Sequence, residues 1–147
     1  MFTFSLQTLL DYRKQREEAR QVELAEARRA LTDEEAKMLR ILEDERANLA
    51  ELNRVADEAS PVSLVASLLF RGQRLADQRR KQEQVIEAAQ IFQEECRERL
   101  AEAMQEKEML EKLKEKKMKA HLAEEARRET KATDEAGRMA ARYRGKS

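Results

Sequence analysis

One proline divides the 147-residue chain. Ser60-Pro61 interrupts a sequence in which apolar residues otherwise recur every three or four positions. Before it, Leu24, Leu31, Met38, Leu42, Leu49 and Leu52 fall on one helical stripe. After it, Leu68, Leu75, Ile86, Ala89, Cys96, Leu100, Ala103, Leu110 and Leu113 keep the same rhythm. Spacing of this kind buries one narrow seam against another helix. Two such stretches with one break predict an all-α fold: a long antiparallel two-helix coiled-coil hairpin whose second helix is the longer. A hairpin of that kind offers no deep pocket, so function is expected where its surface and ends touch partners.

Composition supports the seam over a globular core. Asp, Glu, Lys and Arg make up 41% of the chain, aromatics 4%, and only three residues are glycine. Such a chain is too polar for a compact globule but matches a coiled coil. The phasing of its apolar residues argues against disorder. Net charge is zero, which disfavours a dedicated nucleic-acid binder, whose affinity comes from neutralising phosphates. The first sixty residues carry 10 basic and 14 acidic groups, and the remainder 20 and 16. An acidic helix is thereby expected to lie against a basic one.

The expected boundaries are helix one over about residues 5–59, a tip over about 60–72, and helix two to about 142, all in one coiled-coil domain covering 1–147. Ser5 is the expected N-cap of helix one, and Phe4 and Leu9 have the spacing of a hydrophobic staple. Ser60 reads as the N-cap of helix two, with Pro61 at its first position. In a heptad frame the first seam has two phases. One is Leu24, Leu31, Met38, Glu45, Leu52 and Ala59; the other is Gln21, Arg28, Glu35, Leu42, Leu49 and Ala56. Two tip geometries fit: a sharp turn at Ser60, or a short tip helix with a second bend near Gly72. Apolar Val62 and Phe70 favour the second, because a direct reversal leaves them little to pack on.

Catalytic and metal-binding signatures are weak. His121 is the sole histidine, and Cys96 the sole cysteine, on the seam. Adjacent carboxylates such as Glu17-Glu18 and Glu94-Glu95 diverge by roughly 100° on a helix and do not converge on one ion. The basic run from Lys107 to Lys119 is interleaved with glutamates and lacks aromatics to stack bases. No catalytic residue, cofactor or metal is therefore expected. The first residues carry no basic secretion-signal region, no segment approaches the roughly 20 apolar residues of a membrane span, and a single cysteine gives no internal disulfide. These features fit a soluble, cytoplasmic chain.

The termini carry a resemblance. The opening Phe2-Thr3-Phe4-Ser5-Leu6-Gln7-Thr8-Leu9-Leu10-Asp11-Tyr12-Arg13, then Glu17-Glu18 and Glu23-Leu24-Ala25, is similar to the start of the FliJ family. So is Leu110-Glu111-Lys112-Leu113-Lys114 with Glu125, Glu129, Lys131, Asp134 and Glu135. The likeness spans nearly the whole length and includes the midpoint break. It implies a non-enzymatic component of the flagellar type III export apparatus, with a fold similar to the central stalk of rotary ATP synthases. Implied partners are the hexameric flagellar export ATPase, the export-gate membrane protein FlhA and export chaperones. The implied location is cytoplasmic, peripheral to the inner membrane at the flagellar base. Candidate ATPase-binding residues are Phe2, Phe4, Leu6, Leu9, Leu10, Arg13, Lys112, Glu129, Lys131 and Asp134, since a hairpin would gather them at one end. Candidate gate-binding residues are Leu64, Leu68, Leu69, Phe70 and Leu75. The alternatives are the equivalent stalk of a virulence type III secretion ATPase, or a generic coiled-coil scaffold.

Overall fold

The computed structural model describes residues 1–145. Two helices account for nearly all of them: α1, Gln7–Asp57, and α2, Val62–Gly145. The described residues include no strand. The fold is the expected helical hairpin class, with the second helix longer at 84 residues against 51. Contacts divide the chain into two units, one made of residues 18–101 and one of 1–17 with the part of α2 from Glu102 on.

In the unit of residues 18–101, α1 and α2 pack antiparallel. Asn48 meets Leu68, Glu45 meets Arg79, Glu34 meets Gln82, and Leu24 clusters with Cys96. The later partner moves forward as the earlier one moves back. The core of this unit is thin: Leu24, Ala27 and Cys96 form a buried cluster, with Leu100 packed against it. Val55 and Leu75 are buried nearer the turn.

Burial shows which phases the seam uses. On α1 the least exposed positions run 24, 27, 31, 34, 38, 41, 45, 48, 52, 55. One phase is as expected, from Leu24 through Leu52. The other is displaced by one residue: Ala27, Glu34, Ile41, Asn48 and Val55 replace Arg28, Glu35, Leu42, Leu49 and Ala56. The physical reason lies upstream. Ala27 fits against Cys96, whereas the alternative phase would bury the Arg28 guanidinium. Leu42 and Leu49 consequently stand on the flank, exposed. On α2 the seam follows the expected stripe and extends through polar members Arg79, Gln82 and Gln93.

The turn differs from expectation in three ways. First, α2 starts at Val62 and runs unbroken through Gly72, so there is no separate tip helix. Second, the Pro61 carbonyl accepts the first bonds of α2, from the Leu64 and Val65 amides at 3.0 and 3.4 Å. Pro61 is therefore the capping residue itself, one position ahead of the expected frame. Third, α1 ends at Asp57, and the Ser60 amide donates to the Glu58 carbonyl at 2.7 Å. The described residues reverse direction here without any positive-φ residue.

Gly72 has a different role from a bend. A β-carbon there would lie 3.1 Å from Asn48 Nδ2, and that amide donates to the Leu68 carbonyl at 3.1 Å. The missing side chain lets Asn48 reach the α2 backbone one turn earlier.

The second unit is also an antiparallel pairing. Arg13 meets Glu106, Glu17 meets Lys107, and Phe2 meets His121. Leu10 and Ala103 are buried here, as is Phe4 ahead of α1. Helix α1 begins at Gln7, two residues after the expected cap: the Gln7 amide donates to Phe4 and the Leu10 amide to Leu6. The staple partner shifts accordingly, because Leu10 is buried and Leu9 is exposed.

Candidate functional site

The N-terminal candidates separate into covered and available groups. Phe4 and Leu10 are buried. Phe2 is half-covered, its ring tilted against that of His121 with centroids 5.5 Å apart. Arg13 is engaged by the Glu106 carboxylate at 2.6 Å. Leu6 and Leu9 are the apolar members left at the surface, and Tyr12 adds an exposed ring beside the Arg13 guanidinium. Lys112 is exposed on the same unit.

Polar pairs hold this end together. Lys107 donates to Glu17 at 2.6 Å, and the Glu17 carboxylate holds its ammonium above the usual lysine range. His121 lies 3.0 Å from Glu125 along α2. The structure joins the segment 2–13 to α2 over 106–121. It does not join it to Glu129, Lys131 and Asp134. Asp134 stands thirteen residues past His121, about 20 Å further along the helix.

Beyond His121 the helix is bare. Every described residue over 122–145 is exposed. Three large side chains stand in the open on this stretch: Leu122, Met139 and Tyr143, the last 82% exposed. Thr130 and Thr133 turn their hydroxyls back to the Ala126 and Glu129 carbonyls, bonds that compete with the backbone ladder and do not strengthen it.

The gate candidates also split. Leu75 is buried in the seam, so a partner reaches it only by parting the helices, whereas the half-buried Leu68 lines an open groove. Leu64, Leu69 and Phe70 are exposed. Beside them lies a groove of about 730 Å³ with Leu42, Leu49, Leu52 and Leu69 on its walls and Asn48 and Gly72 at its floor. The expected phase assigns Leu42 and Leu49 to the seam, whereas the structure puts them at the surface. The usable signal was the pair Ala27 against Arg28, which separates the two phases seven residues at a time.

Among the described residues no cluster of histidine, cysteine or carboxylates could hold a metal ion. No helix over those residues is long and apolar enough to cross a membrane.

Comparison with known proteins gives a fold and a family. A solved structure of a proposed YscO homolog from Chlamydia trachomatis has the same fold, with a TM-score of 0.61, 22% identity, and coverage of 100% of this chain and 99% of that one. No curated protein matches the sequence. The model of the family described as flagellar FliJ protein matches residues 2–146. On that match, and with a helical hairpin to carry it, the chain belongs to the FliJ family and is a component associated with type III protein export.

Proposed function

We propose that this protein is the stalk of the flagellar export ATPase, entering its hexameric ring and promoting ring assembly and turnover without catalysing a reaction itself. The observation that carries this is the bare helix over 122–145. Helical stability in proteins comes mainly from packing, and this stretch of α2 packs on nothing else among the described residues. Its exposed Leu122, Met139 and Tyr143 supply what a surrounding protein wall would cover.

Leu6 and Leu9, with Lys112, Glu129, Lys131 and Asp134, are the accessible ATPase contacts in this reading. The buried Phe4 and Leu10, the half-covered Phe2 and the paired Arg13 hold the end in shape. Leu64, Leu69 and Phe70 are the accessible contacts for FlhA, and export chaperones are further partners. The protein works in the cytoplasm, at the inner face of the membrane below the flagellum.

ATP turnover by the purified flagellar export ATPase, with and without this protein, tests the reading. Addition of the protein should raise turnover. A chain carrying Leu122→Ser, Met139→Ser and Tyr143→Ser should lose that effect while keeping its helicity. Equal stimulation by both chains would refute it. The likeness to the YscO homolog supports a second reading, the stalk of a virulence type III ATPase; stimulation of that enzyme and not the flagellar one would select it.

A further inference from the structure

The seam between residues 18 and 101 contains more polar groups than a stable pair of helices needs. Glu34 accepts from Gln82 Nε2 at 2.6 Å, and the same amide donates to the Glu34 backbone carbonyl at 2.9 Å. Arg79 Nε and Glu45 Oε1 lie 3.0 Å apart, sealed from solvent and not aligned for a hydrogen bond. Asn48 is buried against Gly72, bonded through Nδ2 to Leu68, with its Oδ1 unpartnered. Replacing buried polar groups with apolar ones generally adds stability to a coiled coil, whereas retained ones can fix its register.

A slip of one heptad shows what these groups distinguish. The apolar members tolerate it: Leu31 would meet Cys96 in one direction, and Leu24 would meet Ala89 in the other. The polar members do not. In the first direction Glu45 would face Ile86, Glu34 would face Ala89, and Asn48 would face Arg79, which has a side chain where Gly72 has none. In the second, Glu45 would face Gly72, Glu34 would face Leu75, and Asn48 would face Val65. Either slip leaves the two half-buried carboxylates of the seam without their partners, which is disfavoured to the extent that they stay covered.

We infer that Glu34–Gln82, Glu45–Arg79 and the Asn48–Gly72 close approach are a register lock, which holds α1 and α2 of this unit in one alignment that the apolar seam alone would not select. The lock costs stability and gives singularity. A hairpin with one register transmits an axial push on one helix to the other, whereas a multi-register hairpin would absorb it by sliding.

Cysteine cross-linking reads the register directly, with the natural Cys96 as one partner. Leu24→Cys reports the observed register. Leu31→Cys reports the first slip. Leu24→Cys with Ala89→Cys, in a Cys96→Ala chain, reports the second. Under mild oxidation at low protein concentration, intramolecular cross-links are scored on non-reducing gels. In the natural seam the Leu24→Cys chain should cross-link, and both slip reporters should give less than about a tenth of its yield. In a seam made apolar by Glu34→Leu, Glu45→Leu, Asn48→Leu, Arg79→Leu and Gln82→Leu, at least one slip reporter should rise roughly tenfold while helicity is kept or increased. If that chain fails to fold, Glu34→Leu with Gln82→Leu alone should show the same rise in smaller measure. Slip reporters as efficient as Leu24→Cys in the natural seam would overturn the inference. So would slip yields that stay at trace level once the polar groups are gone.

Discussion

Gly72→Ala offers the sharpest test of how the helices approach each other. In an ordinary helix interior this change stabilises by about 1 kcal/mol, because alanine loses less conformational freedom on folding. Here the new β-carbon would sit 3.1 Å from Asn48 Nδ2. That is closer than side chains normally come, so the amide must retreat by a few tenths of an ångström. Its bond to the Leu68 carbonyl is already 3.1 Å long, and retreat breaks it. Loss of one such bond costs about 0.5–1.5 kcal/mol. The two effects nearly cancel, and Gly72→Ala alone should change stability by less than about 0.5 kcal/mol. In an Asn48→Ala chain the obstruction is gone, and the same change should recover the full gain of about 1 kcal/mol. A double-mutant cycle by urea denaturation, followed by far-UV circular dichroism, therefore predicts a coupling of about 1 kcal/mol between the two sites. If Gly72→Ala stabilises equally in both backgrounds, the close approach does not govern this position and the reasoning fails.

Three further outcomes follow from the seam. Exchanging the charges of the Glu17–Lys107 pair, as Glu17→Lys with Lys107→Glu, should restore most of the melting temperature that either single change removes, because each single change puts like charges where a 2.6 Å ion pair stands. The Gln82 hydrogen bond, with a smaller contribution from Lys37, holds the Glu34 carboxyl below its ordinary range. A carboxylate held lower in the folded state stabilises it above the unfolded pKa, and this support is lost as pH falls through the folded value. Gln82→Leu should accordingly flatten the decline of stability with acid below the ordinary carboxylate range, measured as melting temperature against pH. Cys96→Ser should destabilise by about 1–3 kcal/mol in denaturant titrations, because it leaves a hydroxyl in the fully buried site beside Leu24 and Ala27.

Much of the fold was legible because the heptad signal is redundant. Leu24, Leu31, Met38 and Leu52 mark one seam phase on α1, and Leu68, Leu75, Ile86, Ala89, Cys96 and Leu100 mark α2, so no single polar insertion hides the stripe. The second α1 phase was not legible in the same way. Ile41, Asn48 and Val55 compete with Leu42, Leu49 and Ala56, and by hydrophobicity the wrong set is the better one. Only the contrast of Ala27 with Arg28 favours the observed set, and that contrast lies about four turns before Ile41. The short tip helix was misread for a related reason. Gly72 looks like a weak point to local propensity, but its meaning is set by Asn48, twenty-four positions earlier in the chain.

The same competition explains where the candidate surfaces came from. Rotation of the seam by one residue moves Leu42 and Leu49 out of the interface and onto the groove beside Leu69. It also brings Glu34 and Asn48 in. Hydrophobicity alone would favour the opposite rotation, so the polar contacts to Gln82 and Leu68, together with the fit of Ala27 against Cys96, must outweigh two leucines left in water. Fully burying a leucine is worth about 1.5–3 kcal/mol, but Leu42 and Leu49 are only partly exposed, at 42% and 57%, so the sacrifice is a fraction of that for each. Three polar contacts and a close-packed alanine are of comparable size. The seam is thus balanced between two rotations, and the polar contacts together with Ala27 decide both which rotation forms and which leucines a partner can reach.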